Sequence, residues 1–233
     1  MSLPLFLVEA LPAGDEFRLD GPEGHHAATV QRLRAGEELL LGDGRGGTAT
    51  AQVTAVGRGA LDLTIRTRGY TEPPDPRLVV VQGIAKGDRG ELAVQAMTEV
   101  GVDEIVPWAA ARSVAKWKDD RPLQRWRVTA REAAKQARRS WVPVVSEPVT
   151  TARLASRAGL LLVLHEEAAA PLSAVELPPS GEITLVVGPE GGITPDELAA
   201  LGGVPVRLGR EVLRTSTAGV AALSALSVRI GRW

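Results

Sequence analysis

Pro73, Pro74 and Pro76 fall within four consecutive residues, and proline has no backbone N–H to give to a ladder, so no central strand can pass through this stretch. The break separates two parts of the chain that differ in hydrophobic period. Before it, the apolar residues 38–41 run into the turn sequence Gly42, Asp43, Gly44, Arg45, Gly46, Gly47, and residues 48–56 and 61–66 both alternate with a period of two. That alternation predicts a β-meander with one buried face, preceded by a first strand and by a short helix over residues 25–33. We expect a small β-rich barrel over residues 1–70 and a linker over 71–76.

Beyond the prolines the pattern becomes strand, helix, strand. Residues 78–81 are a continuous apolar run of the kind buried on both faces, and Asp88 is placed to cap a helix over 89–100 that Gly101 ends. Strands at 104–106, 160–164, 183–187 and 204–208 alternate with helices at 122–137, after Thr194, and at 217–228. This order predicts an α/β fold with a mostly parallel sheet over residues 77–233.

Composition narrows the chemistry. The absence of cysteine excludes disulfides, thiolate metal sites and cysteine nucleophiles. The three histidines are His25, His26 and His165; the first two are adjacent and diverge on any regular element, so no metal is expected. The N-terminus has no cationic region before its apolar stretch, and no apolar run approaches the roughly 20 residues a bilayer needs, which predicts a cytoplasmic chain with no membrane partner.

The formal net charge of −1 conceals segregation. Residues 112–139 carry the cations Arg112, Lys116, Lys118, Arg121, Arg125, Arg127, Arg131, Lys135, Arg138 and Arg139 against only Asp119, Asp120 and Glu132, a strong local excess in an otherwise acidic chain. Such a stretch is either a solvated helix face or an electrostatic footprint for phosphates. Trp117, Trp126 and Trp141 are interleaved with it, as base-stacking residues or as core.

In a parallel sheet, ligands sit beyond the carboxyl ends of the strands. Three segments there carry chemistry: His165 and Glu166; Gly188, Pro189, Glu190, Gly191 and Gly192; and residues 209–215, from Gly209 to Thr215. Glycines let backbone approach a ligand closely. Residues 42–47 lack the dinucleotide fingerprint and residues 83–88 lack a phosphate-loop order. A triad drawn through Ser216 and His165 has no nucleophile elbow.

Taken together, residues 187–192, Leu208 with Gly209, and Val212, Leu213, Arg214, Thr215, Ser216, Thr217 and Ala218 resemble the C-terminal signature of the 16S ribosomal RNA uridine N3 methyltransferases of the SPOUT superfamily. Residues 86–89, 98–107, 112–114 and 132–136 fit too, as do His25, His26, Val30, Arg32 and Gly36, so the resemblance covers essentially the whole chain. It implies a PUA-like barrel that helps hold RNA, and a SPOUT domain with a C-terminal trefoil knot that binds S-adenosylmethionine at a homodimer interface. The cofactor loops it implies are Leu164, His165 and Glu166; Gly188 to Gly192; and Leu208, Gly209, Val212, Leu213, Thr215 and Ala218. The implied partner is 16S ribosomal RNA or the small ribosomal subunit.

Uridine N3 must lose a proton before it attacks. Arg214 is read as stabilising the resulting anion, or else as a salt-bridge partner of Glu190, and Glu190 as orienting groups or taking the proton. RNA contacts are expected from Arg32, Arg34, Arg112, Lys116, Arg131, Arg138 and Arg139. The chain departs from the family at Ser216 and Lys135, where acidic residues are usual, and lacks the arginines usual near Pro4. Methylation of a ribose 2′-hydroxyl, or RNA binding without catalysis, are the alternatives.

Overall fold

The computed structural model describes residues 3–233; Met1 and Ser2, where the N-terminal reading begins, lie outside the described residues. The chain forms two compact units. The first comprises residues up to Pro73 together with Ala134–Val142, and the second comprises Pro74–Ala133 and Pro143–Trp233. Boundaries drawn at 70 and 77 from sequence alone have no place for the return of Ala134–Val142 to the first unit.

In the first unit the strands are β1 (Leu5–Leu7), β2 (Glu16–Leu19), β3 (Glu38–Gly42), β4 (Gly47–Gly57) and β5 (Ala60–Tyr70). They form one sheet in the order β1-β3-β4-β5-β2, antiparallel except for the β1–β3 pair. The expected barrel is not closed by a ladder among the described residues: β1 and β2 are its edges. Gly47, Ala49, Ala51 and Val53 of β4 are buried in alternation, and the core gathers Phe6, Leu39, Leu41, Leu61 and Leu63. The helix begins earlier than 25–33, as α1 (Gly21–His25) followed by a π-helical turn (His26–Val30), because Pro22 sits in its first turn, where a missing N–H costs nothing.

Ala134–Val142 is stitched into this unit. Lys135 is buried, with Nζ 2.9 Å from Glu23 Oε2. Ser140 O accepts from Gly46 N at 2.9 Å and Gly44 O accepts from Val142 N at 3.0 Å, while Trp141 Nε1 donates to Thr71 O at 2.9 Å. Gly46 has φ +94°, and a Cβ there would lie 2.8 Å from the Trp141 ring. Lys135 therefore drops out of any exposed basic surface.

The second unit contains β6 (Arg77–Gly83), α2 (Arg89–Glu99), β7 (Glu104–Trp108), most of α3 (Arg121–Gln136), β8 (Val144–Val145), α4 (Thr151–Leu154), β9 (Leu160–Leu164), β10 (Glu182–Val187), α5 (Pro195–Leu201), β11 (Val204–Val206) and α6 (Thr215–Arg229). Its six strands lie in the order β11-β9-β10-β6-β7-β8, every pair parallel. Leu78, Val80, Leu185 and Val187 pack on one face with α2, α3 and α6, while Val79, Val81 and Val186 pack on the other with α4 and α5. Burial on both faces is why these strands read as unbroken apolar runs. Asp88 stands at the start of α2 but makes no side-chain cap, whereas Thr194 and Glu197 close a full capping box on α5.

The amino end of the sheet is locked by charge. Arg157 Nη2 lies 2.7 Å from Glu104 Oε2 and its Nε 2.7 Å from Glu182 Oε1, and Arg77 Nη2 is 2.9 Å from Glu104 Oε2. Burial alone would raise the Glu104 pKa. Hydrogen bonds from Arg157 and Ser146, with the charges of Arg157 and Arg77, outweigh burial and hold it below 4.5. The folded chain thus binds this proton less readily than the unfolded chain, so the stabilisation is complete above about pH 4.5 and is lost as pH falls through the folded-state value. Glu104→Gln should cost about 1–3 kcal/mol at neutral pH and flatten the acid dependence of the denaturation midpoint; an unchanged acid limb would show that the network does not govern it.

Candidate active site

Because β6, β9, β10 and β11 run the same way, the segments leaving their carboxyl ends meet at one edge. There they enclose a cleft of about 670 Å³, which lies entirely within the second unit. Every residue read from sequence as cofactor-binding lines it, and so does Arg214.

After β9, His165 N donates to Val206 O at 2.9 Å and its half-buried ring accepts at Nδ1 from Glu167 N at 3.3 Å. After β10, the chain turns tightly at Gly192, with φ +75° and its N–H on Pro189 O at 2.9 Å. Glu190 Oε1 accepts from Lys86 N and from Arg89 Nη1, both at 3.3 Å. The expected alternative of an Arg214–Glu190 salt bridge is not formed among the described residues, where the ion pair of Glu190 is with Arg89. After β11, Val212 and Leu213 are 73% and 40% exposed at the cleft. Arg214 follows at the N-cap of α6. Its carbonyl accepts from Thr217 N and Ala218 N at 2.9 Å, and its guanidinium has no hydrogen-bond partner among the described residues.

Two close approaches explain glycine here. A Cβ on Gly83 would lie 2.5 Å from Pro189 N and 2.8 Å from Gly188 C, and one on Gly191 would lie 2.8 Å from both Cβ and O of Arg112. The backbone of the Gly188 to Gly192 loop is thus packed directly between β6 and the segment after β7.

Arg112, assigned to RNA from charge alone, lines this cleft and donates from Nη1 to Gly191 O at 3.2 Å. Glu197 places it: Oε1 accepts from Ala111 N at 2.7 Å and from Thr151 Oγ1 at 3.2 Å, while Oε2 serves Thr194. Burial would raise the Glu197 pKa, but the bonds from Ala111, Thr194 and Thr151 lower it below the usual range. Arg210 and Glu211, within the segment 209–215 marked from sequence, line the cleft as well, and so do Arg89, which the resemblance over 86–89 includes without a role, and Glu167 and Arg207, which were not singled out. Arg207 stands just past the end of β11, where the sheet-edge rule could have found it; Arg89, at the start of α2, and Arg112 carry no such signal.

The other expected RNA residues lie apart from the cleft lining. Arg32, Arg34, Lys116, Arg131 and Arg138 are exposed and Arg139 is half-buried. Within the basic stretch, Arg125 pairs with Glu91 and Arg127 with Glu147. Trp126 is core, with Trp117 edge-on at 5.0 Å, so neither ring is a free stacking platform. Among the described residues no cluster could hold a metal ion, and no helix is long and apolar enough to cross a membrane.

A parallel α/β domain with a cleft of this build, preceded by a small β unit, matches two family descriptions. One, an RNA methyltransferase domain, covers residues 71–227, and the other, an RNA methyltransferase PUA domain, covers residues 19–66. The class is therefore that of RNA methyltransferases. The chain is 46% identical to the ribosomal RNA small subunit methyltransferase E of Mycobacterium bovis, over 98% of this chain and 93% of that protein. It is 32% identical to the enzyme of the same name from Bacillus subtilis, over 91% and 89%. The crystal structure of the Neisseria gonorrhoeae ribosomal RNA small subunit methyltransferase E bound to S-adenosyl methionine superposes with a TM-score of 0.88 at 29% identity, covering 98% of each chain. The chain belongs to the ribosomal RNA small subunit methyltransferase E family.

Gly83→Ala should push Pro189 and Gly188 away from β6 and cost about 1–3 kcal/mol in chemical denaturation; wild-type stability would show that the loop has room to move.

Proposed function

We propose that the chain transfers the methyl group of S-adenosylmethionine to N3 of a uridine in 16S ribosomal RNA. The observation that carries this reading is the cleft itself, assembled from the three segments that resemble the family's cofactor loops. Its volume of about 670 Å³ suits a ligand of that size. The donor set suits it as well: backbone groups of the glycine loop, apolar Leu208, Val212 and Leu213 for a purine, and both arginines and carboxylates for a zwitterionic amino-acid end.

S-adenosylmethionine supplies a methyl group already activated on a sulfonium. The protein's task is alignment and stabilisation of the uridine anion. Arg214, unpartnered at the amino end of α6, offers its guanidinium to the anion's oxygens, and the positive end of the helix adds to it. Glu190 has Oε1 engaged by Lys86 N and Arg89, which leaves Oε2 to orient a group or accept the N3 proton.

The wider organisation follows the same reading. Residues 1–70 act as the PUA-like RNA-holding domain, 71–76 as linker, and 77–233 as the SPOUT domain, working as a cytoplasmic homodimer on ribosomal RNA or the small subunit. A trefoil knot is supported by topology: β11 is at the sheet edge, yet α6 packs over central β6 and β10 and against α2, so residues 207–214 must bring the chain back across the sheet.

Incubation with methyl-labelled donor and small subunits lacking the modification should yield N3-methyluridine on nucleoside analysis. Label on a ribose, on another base, or absent altogether would contradict the reading. Arg214→Ala should lower kcat about 100-fold with donor affinity unchanged; unaltered turnover removes Arg214 from the chemistry. Arg138→Glu should weaken RNA binding and reduce its log–log salt slope by about 1 without changing donor affinity; an unchanged slope makes the basic stretch a solvated face.

A further inference from the structure

Gln82 is a polar residue that follows the apolar run Leu78 to Val81 near the end of the central strand β6, and it is completely buried. It does not line the cleft, yet it touches what does. Its Nε2 donates to Thr215 Oγ1 at 2.9 Å, to Thr215 O at 3.3 Å and to Gly83 O at 3.3 Å. Thr215 Oγ1 in turn donates to Gly188 O at 2.8 Å. The amide of one strand, the first residue of α6 and the first residue of the glycine loop are thus joined in one chain of hydrogen bonds.

We propose that Gln82 is a positioning residue of the S-adenosylmethionine cleft, acting through Thr215 to fix the distance between the Gly188 loop and the start of α6. The inference rests on the reading of the cleft given above. Direction within the chain of bonds supports it. A hydroxyl has one proton, and that of Thr215 is committed to Gly188 O, so it has none to donate to a ligand; its place on the cleft is that of a spacer between two loops. At Gln82 only the donor end of the amide is used, while Oε1 is buried with no partner. The unsatisfied acceptor is a cost, and what stands against it is the bond the donor end makes to Thr215. Close approach of α6 accompanies this contact: a Cβ on Gly219 would lie 2.8 Å from Met97 Sδ and 3.6 Å from Gln82 Oε1.

The test is calorimetric titration of S-adenosylmethionine into the full-length protein, with folding checked by circular dichroism. Gln82→Leu keeps the volume and removes the donor, and Gln82→Met substitutes for it should the leucine variant not fold. Thr215→Val removes the hydroxyl, and Thr215→Ser keeps it. Either loss should raise Kd about tenfold. The double variant should also stand at about tenfold rather than hundredfold, because both substitutions break one chain of bonds. Thr215→Ser should restore Kd to within about twofold of wild type. Wild-type affinity in the Gln82 variant, or effects that multiply in the double, would overturn the latch while leaving the cleft's assignment intact. A wild-type protein that binds no S-adenosylmethionine would overturn both.

Discussion

Parallel pairing of β10 with β6 on one side and β9 on the other is the constraint from which the site follows. Antiparallel neighbours would send successive loops to opposite ends of the sheet. Here Leu160–Leu164, Glu182–Val187 and Val204–Val206 all finish at one edge, so three segments far apart in sequence become walls of one cleft. The opposite edge is held by Glu104, Glu182, Arg77 and Arg157, a half-buried network satisfied on both sides. Such ion pairs contribute little net stability but are costly to break singly; their position at the amino ends of β6, β7 and β10 fixes the register that the cleft depends on.

Electrostatics separate along similar lines. The cation-rich stretch is not a uniform surface. Lys135 is spent inside the first unit, Arg125 and Arg127 are paired, and Arg112 belongs to the cleft through Gly191. What remains for phosphates is a smaller exposed set, including Lys116 and Arg138. A formal charge near zero is therefore compatible with an RNA partner, because it averages a cation-rich stretch over residues 112–139 with an acidic excess elsewhere in the sequence.

Much of the fold was legible because period and punctuation agree: Pro73 and Pro74 mark a real discontinuity, and the apolar runs of β6, β9 and β10 announce strands buried on both faces. The glycine loop was legible because a parallel sheet has only one edge at which to bind a ligand. Other features left no local trace. β2 buries fully only Leu19, β8 has two residues, and α4 has four, too short for any periodicity. Asp88 has the right residue type for a cap but its backbone is already helical, so its carboxylate does not reach the orphan N–H groups. Arg112 and Gln82 are placed by tertiary bonds through Glu197 and Thr215, over separations of 86 and 133 residues, which no reading of neighbours in sequence can supply.

The most direct test of the central claim is a crystal structure of the protein grown with S-adenosylmethionine. Density for one donor molecule in the cleft of the second unit, against Leu164, Gly188 to Gly192 and Leu208 to Ala218, is the predicted result. A donor seated elsewhere on the chain, or a cleft that remains empty at saturating concentration, would contradict it.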